Sequence, residues 1–232
     1  GRHRKKMKKM SDNAHTSKTS KTNTANTSNT RARSHAEKLA ASGIDLDALY
    51  HPTLPHDFDH ERPIWNEILN GLYQGGTYDS DTLGEVEAGT DMVITPDHFD
   101  TVVTLYQWAN PVDWFVRELR FAFYDSNVEH FPLEQLFDLV KIAHADWKRG
   151  KRVLVRCQAG INRSGLVTAL ILIREGFSAA EAITMQRKQR SNWVLANRSF
   201  VDFLLGLDPE DWRGDSYPHT SDSHTSDSAS SH

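Results

Sequence analysis

The stretch "VLVRCQAGINRSGLVTALILIREG", residues 153–176, decides the fold of this chain. Its start is short and wholly apolar, which is typical of a central strand buried on both faces, so we predict a strand at 152–155. A loop with one glycine follows, and residues 164–176 are then apolar nearly all round, as in a buried helix. A buried strand that passes through a tight loop into a buried helix indicates an α/β domain.

The flanking sequence repeats the alternation of strands and helices. Three more strands are predicted from β-branched or alternating apolar residues, at 69–74, 100–108 and 118–127. Three more helices are predicted from apolar residues at helical spacing, at 132–150, 178–190 and 198–207. The second of these opens with Ser178 and Glu181, the spacing of a capping box. We therefore predict an α/β fold with a central, mostly parallel sheet of about four to five strands flanked by helices.

Both ends of the chain differ in composition from its centre. Residues 1–34 contain ten Lys and Arg but one acidic residue, Asp12. Residues 214–232 are mostly Ser, Asp, His and Thr. Neither segment has the apolar area that offsets the entropy of ordering a chain, so both are predicted to be disordered tails. The catalytic or binding domain is assigned to 35–213.

Composition also limits the partners and the compartment. The net charge of −4 does not favour nucleic acid, which could be bound only through the basic N-terminal tail. No apolar run is long enough to span a membrane. A single cysteine excludes an internal disulfide and a cysteine-based zinc site, and it fits a reducing, cytoplasmic compartment. We expect a monomer without metal or other cofactor.

The loop between the strand and the helix has the chemistry of an anion site. Ligands of α/β sheets bind at the carboxyl ends of strands, and a helix N-terminus offers free N–H donors. Gly160 lets the backbone curl into a nest of such donors, and Arg163 adds a planar fork that can hold two phosphate oxygens. Thiolates are stabilised at helix N-termini beside cations, so we predict that Cys157 attacks a phosphoryl group held by Arg163.

Less specific interpretations exist for the candidate residues of this chain. A lone buried cysteine such as Cys157 is usually a small inert hydrophobe, and an isolated Asp in a turn, such as Asp125, usually caps that turn. Asn197 could line the site or cap a helix. Arg187 and Arg190 are expected on a solvated helix face. A nucleotide-binding P-loop is rejected because no Lys follows Gly165.

Cys157, five intervening residues and Arg163-Ser164 resemble the Cys-x5-Arg-Ser/Thr signature of the protein tyrosine phosphatase superfamily. The segments "GLYQGG", "VVTLY", "FYDSN" and "VLVRCQAGINRSG" follow in the order of the dual-specificity branch, so the resemblance covers about residues 65–206. It implies a phosphatase-type three-layer sandwich and a two-step reaction through a cysteinyl-phosphate, without a metal.

The resemblance also implies roles for individual residues. Cys157 would be the nucleophile, and Ser164 would donate a hydrogen bond to its sulfur. The phosphoryl oxygens would be bound by the segment that follows the nucleophile: Gln158, Ala159, Gly160, Ile161, Asn162 and Arg163. Family members take their general acid from an upstream loop, where Asp125 lies 32 residues before Cys157. Glu129 is the second choice and Asp138, in a predicted helix, the third.

One position departs from the family pattern, because Arg156 stands where most members have His. It would either act as a second cation near the thiol or point away along the strand. The expected activity is hydrolysis of phosphotyrosine in proteins, with phosphoserine and phosphothreonine as further substrates. An RNA 5′-triphosphatase, a phosphoinositide phosphatase and a phosphate-binding module without catalysis remain as alternatives.

Overall fold

The computed structural model describes residues 43–54, 63–77 and 93–218. The predicted tail at 1–34 and most of the tail predicted at 214–232 lie outside these ranges. The beginning of the second tail is packed, however: the Tyr217 ring lies 5.8 Å from that of Phe137 and 5.9 Å from that of Trp212, between centroids. The packed domain therefore extends to Tyr217, past the boundary at 213 that composition predicts.

Five strands form one mixed sheet in the order β1-β2-β5-β3-β4. They are β1 (Trp65–Leu69), β2 (Leu72–Gly75), β3 (Thr101–Thr104), β4 (Arg117–Arg120) and β5 (Val153–Arg156). Only β1 runs antiparallel to its neighbour in this sheet, which confirms the mostly parallel α/β fold. The single strand predicted at 69–74 is wrong, because β1 and β2 form a hairpin that turns at Asn70 and Gly71.

The sheet is flanked by helices along the described chain. They are α1 (Leu46–Tyr50), α2 (Leu133–Lys148), α3 (Arg163–Glu175), α4 (Ala179–Gln189), α5 (Arg198–Gly206) and α6 (Pro209–Arg213). The capping box of α4 is confirmed: Glu181 N donates to Ser178 Oγ at 3.1 Å, and Ser178 N donates to Glu181 Oε2 at 2.7 Å. The short helix α6 was not predicted.

The main core lies between the sheet and its helices, and α3 is at its centre. All residues from Ser164 to Ile173 are buried. A smaller apolar cluster covers the opposite face of the sheet and contains Ile94, Phe99, Val102, Val116 and Leu154. Because both β5 and α3 are buried, the loop between them is fixed at both ends.

The strand register places four strand ends at one edge of the sheet. Gly75 of β2 is level with Arg156 of β5, which is level with Thr104 of β3, and Thr104 is level with Arg120 of β4. These are the carboxyl ends of parallel strands, where ligands of α/β folds bind. The candidate site therefore lies at this edge.

Candidate active site

The segment from Cys157 to Arg163, the signature loop, turns its carbonyl groups outward. The carbonyl oxygens of its middle residues each accept a hydrogen bond from outside the loop or from the first turn of α3. The donors are Thr77 N to Gln158, Arg190 to Ala159 and Gly160, Leu195 N to Ile161 and Leu166 N to Asn162. Since N–H and C=O point in opposite directions across a planar peptide, the amides are left to face the concave side. This arrangement can bind an oxyanion.

Cys157 lies at the base of this loop and is only 2% exposed. Gly160 N donates to its Sγ at 3.3 Å, and Ser164 Oγ lies 3.4 Å from the same sulfur. Gln74 Nε2 donates to Gly160 O at 3.2 Å and lies 3.4 Å from Ser164 Oγ. These contacts fix the Cys157 sulfur, the signature loop and the Ser164 hydroxyl relative to one another. Gln74 was not identified from the sequence.

The signature loop needs a glycine at Gly160. Its φ of +71° is in the region that side chains disfavour, and a Cβ there would lie 2.4 Å from both Arg190 Nη2 and Gly75 C. At Gly76 a Cβ would lie 2.6 Å from Gln158 O. The loop is therefore packed against the end of β2 at a distance that only glycine allows at 160 and 76. Gly75 has a different reason, because a Cβ there would lie 2.6 Å from Ile64 O, next to β1.

Arg190 holds the signature loop from outside. Its Nε donates to Gly160 O at 2.7 Å, its Nη2 to Ala159 O at 3.3 Å, and its Nη1 to Asn66 Oδ1 at 2.8 Å. The expected solvated position of Arg187 and Arg190 is wrong, because both residues are 8% exposed. Arg187 donates to backbone carbonyls of α1 and of the loop before α5, and its burial lowers the pKa of the guanidinium to about 10.

Arg163 begins α3 and reaches across the mouth of the signature loop. Its Nη1 donates to Phe123 O at 3.3 Å, and its Cζ lies 5.4 Å from the centroid of the Tyr106 ring. Its Nε is buried and has no hydrogen-bond partner among the described residues. A half-buried guanidinium whose buried Nε is a spare donor, at a nest of amides, is suited to an anion.

Of the three predicted acids, Asp125 is the one that lines the site. Its Oδ2 accepts from Asn162 Nδ2 at 2.9 Å and its Oδ1 from Asn197 Nδ2 at 2.6 Å. Glu129 is exposed and does not line the cleft that contains Asp125 and Arg163. Asp138 lies on the exposed face of α2.

The Arg156 side chain points away from the thiol, which is the second of the two possibilities predicted for it. Its side chain points to β3 and β4, where Nε donates to Thr104 Oγ1 at 3.0 Å and Nη2 to Asn110 O at 2.6 Å. Nη2 also lies 3.4 Å from Glu118 Oε1. Burial lowers the pKa of this guanidinium, and the Glu118 carboxylate opposes that shift. Arg156 thus fixes the loop after β3 and does not contact the thiol.

A cleft of about 280 Å³ opens above Arg163. Aromatic side chains and backbone from two loops form most of its walls, and the residues that line it are Tyr106, Gln107, Trp108, Ala122, Phe123, Tyr124, Asp125, Gln158 and Arg163. Trp108 is 74% and Tyr124 82% exposed, so they form its outer rim. The cleft can take a flat ring next to the anion site.

Within the described residues, no group of three or more His, Cys, Asp and Glu side chains is placed to hold a metal ion. The helices of the same ranges are too short or too polar to cross a membrane.

Comparison with known proteins agrees with this geometry. Residues 113–208 match the family described as dual specificity phosphatase, catalytic domain. The chain is also 27% identical over 157 residues to a protein of Arabidopsis thaliana named phosphatidylinositol 3,4,5-trisphosphate 3-phosphatase and protein-tyrosine-phosphatase PTEN1. This match covers 66% of the chain and 35% of the relative, so the chain spans about a third of the relative's length.

Two solved structures are similar to this chain. OH1 from the Orf virus, described as a tyrosine phosphatase with triple substrate specificity, has a TM-score of 0.50 and 14% identity, and the match covers 75% of this chain and 97% of that one. Human DUSP28 has a TM-score of 0.48 and 23% identity, and the match covers 65% and 93% of the two chains. The likeness to the Orf virus protein is one of fold.

Residues 113–208 therefore resemble the catalytic domain of dual specificity phosphatases, which are cysteine-dependent phosphatases of the protein tyrosine phosphatase superfamily.

Proposed function

We propose that this chain hydrolyses phosphate monoesters of proteins, phosphotyrosine first among them, through a cysteinyl-phosphate. The observation that carries the proposal is the position of Cys157 Sγ, buried at the base of a loop whose carbonyls point outward and whose Gly160 N donates to it. A nucleophile beneath a nest of amide donors is the arrangement needed for attack on a bound phosphoryl group.

In the first step the Cys157 thiolate forms a bond to phosphorus while the ester P–O bond breaks. Arg163 and the amides of the signature loop bind the three remaining oxygens and stabilise the charge of the transition state. The departing oxygen carries the electron pair of the broken bond, and the Asp125 carboxyl gives it a proton. An alcohol leaves, and phosphate remains on the sulfur.

In the second step water attacks the phosphorus of the cysteinyl-phosphate. Asp125, now a carboxylate, accepts the proton of that water, and the P–S bond breaks with its electrons on sulfur. The Ser164 hydroxyl, 3.4 Å from Sγ, donates to the leaving thiolate. Inorganic phosphate is released, and the thiolate and the protonated Asp125 are restored for the next cycle.

The cleft supports phosphotyrosine as the substrate. Its aromatic walls fit the flat ring of a tyrosine that carries its phosphate to the signature loop. Among the residues that line it, Arg163 and Asp125 are the charged ones, so it offers little to a head group with several phosphates. The Arabidopsis relative is named for a phosphoinositide substrate, which makes that class the natural comparison.

A panel of four substrates tests the proposal directly. We expect kcat/KM to be highest on a phosphotyrosine peptide, lower on the matching phosphothreonine peptide, and lowest on inositol phosphates and on RNA with a 5′-triphosphate. The reason is that only the first places an aromatic ring between the cleft walls. A higher kcat/KM on inositol phosphate or on triphosphate-ended RNA would replace the protein substrate by that class.

Replacing Asp125 by Ala is expected to slow hydrolysis of the phosphotyrosine peptide by about 10²- to 10⁴-fold. The loss arises because the tyrosine oxygen then departs without a proton. Glu129→Ala is the matched control, since this exposed carboxylate lies nearby in the same loop but outside the cleft. Single-turnover rates of both variants measure the effect. A large loss in Glu129→Ala with a normal rate in Asp125→Ala would move the acid role to Glu129.

A further inference from the structure

The Asp125 carboxylate is exposed, lies in an irregular loop, and yet is held at both oxygens. One donor is Asn162 Nδ2 at 2.9 Å, from the signature loop, and the other is Asn197 Nδ2 at 2.6 Å, from the start of α5. Asn197 Nδ2 also donates to Ser126 O at 2.9 Å. Two segments that are distant in sequence thus converge on one acidic side chain and its neighbour.

The orientation of both amide groups is fixed by their other hydrogen bonds. Asn162 Oδ1 accepts from Asn197 N at 3.0 Å, and Asn197 Oδ1 accepts from Ser199 N at 3.0 Å. Because each oxygen is bonded to a backbone N–H, each NH₂ group must face Asp125. The side-chain amides of Asn162 and Asn197 are therefore both oriented to donate to the Asp125 carboxylate.

Asn162 contacts Asp125 instead of capping its own helix. It stands at the N-cap of α3, where an Asn side chain usually accepts from the first turn of the helix, but here it makes no such cap bond. Its side chain is directed instead to Asp125 and to Asn197. The position thus links the loop that binds phosphate to the residue that would deliver the proton.

We propose that Asn162 and Asn197 are positioning residues that hold Asp125 over the signature loop for proton transfer. The inference rests on the proposed function. Each carboxyl oxygen has two acceptor sites, so an oxygen that accepts one amide bond can still carry the proton. The two asparagines fix the position of the Asp125 carboxyl relative to Arg163, and Asp125 itself transfers the proton.

The test separates this role from helix capping. Ser and Asp cap helices as well as Asn does, so Asn197→Ser and Asn197→Asp retain the cap of α5. The first loses the donor to Asp125, and the second places a like charge beside it. Asn192→Ala is the matched control, because Asn192 is an exposed Asn of the same loop whose amide donates to Thr53 O, outside the site.

The measurement is kcat/KM, which reports the first step alone, on aryl phosphates with poor and good leaving groups, phenyl phosphate and 4-nitrophenyl phosphate. We expect Asn197→Asp to lower kcat/KM on phenyl phosphate by about 10- to 100-fold, and Asn197→Ser to lower it by a smaller factor, since displacing a catalytic group costs rates of that order. The loss on 4-nitrophenyl phosphate is expected to be several-fold smaller, because nitrophenolate departs with little help from an acid. Asn192→Ala should match the parent enzyme.

A second comparison uses the Asp125→Ala background. There Asn197→Asp is expected to cause little further loss, because the residue it positions is gone. Equal losses on both leaving groups, or full additivity with Asp125→Ala, would overturn the positioning role. The proposed function fails on a different result, namely Asp125→Ala showing no dependence on the leaving group.

Discussion

Cys157→Ser is expected to lower turnover of a phosphotyrosine peptide by about 10⁴-fold or more, since removal of a nucleophile from a covalent mechanism has effects of this size. The variant keeps the amides of the signature loop and Arg163, so it should still bind the peptide. The two readouts are product formation under saturating substrate and peptide binding by calorimetry. Turnover at the parent rate would exclude the mechanism.

Arg163→Ala is the informative contrast, because it removes the guanidinium and leaves the thiol in place. It should lose binding as well as turnover: hydrogen bonds from a charged group are worth about 1.5–3 kcal/mol, or about 10- to 150-fold in affinity for tungstate. Arg163→Lys keeps the charge without the planar fork, so its affinity for tungstate should lie between those of the parent enzyme and Arg163→Ala. Undiminished tungstate affinity in Arg163→Ala would remove this residue from the anion site.

The positions of the Cys157 thiol and the Arg163 guanidinium in one loop could be predicted from the sequence because the pattern is local. The thiol, the glycine and the guanidinium lie within seven residues, between a strand and a helix whose apolar patterns are strong. The capping box at Ser178 and Glu181 is local in the same sense. Features determined by neighbours in sequence need no knowledge of the tertiary fold.

The residues that support the site were missed because their partners are far away in sequence. Arg190 donates to Gly160, 30 positions earlier, and to Asn66, 124 positions earlier. An arginine on a helix is usually solvated, and only the fold brings the carbonyl groups that allow it to be buried. Gln74 belongs to the same class, since its acceptor at Gly160 lies 86 positions away.

The hairpin of β1 and β2 is a different kind of error. Its two strands contain five and four residues, and together they resemble one apolar run. The dipeptide Asn70-Gly71 is a strong local signal for a tight hairpin, and Gly71 has the positive φ of +83° that such a turn requires. The signal was therefore present, and the short strands concealed it.

Glu118 contributes both to the stability of the fold and to the position of one wall of the cleft. Glu118 has a side chain only 16% exposed and accepts from Thr104 Oγ1 and from Arg120 Nε, both at 2.8 Å, besides pairing with Arg156. Arg156 and Arg120 in turn donate to the carbonyls of Asn110 and Ala109, in the loop after β3 that carries Tyr106 and Trp108. The carboxylate thus stabilises two cations that fix this wall of the cleft.

Glu118→Leu is expected to lower the free energy of unfolding by about 3–5 kcal/mol, because it leaves the Arg156 guanidinium buried without its anionic partner. Adding Arg156→Met should recover part of this loss, since an apolar pair of similar volume avoids the unpaired charge. Glu210→Leu is the control: it breaks the exposed pair with Arg213 and should cost about 1 kcal/mol or less. Urea unfolding midpoints measure all three. Equal destabilisation by Glu118→Leu and Glu210→Leu would show that the buried network contributes no more than a surface ion pair.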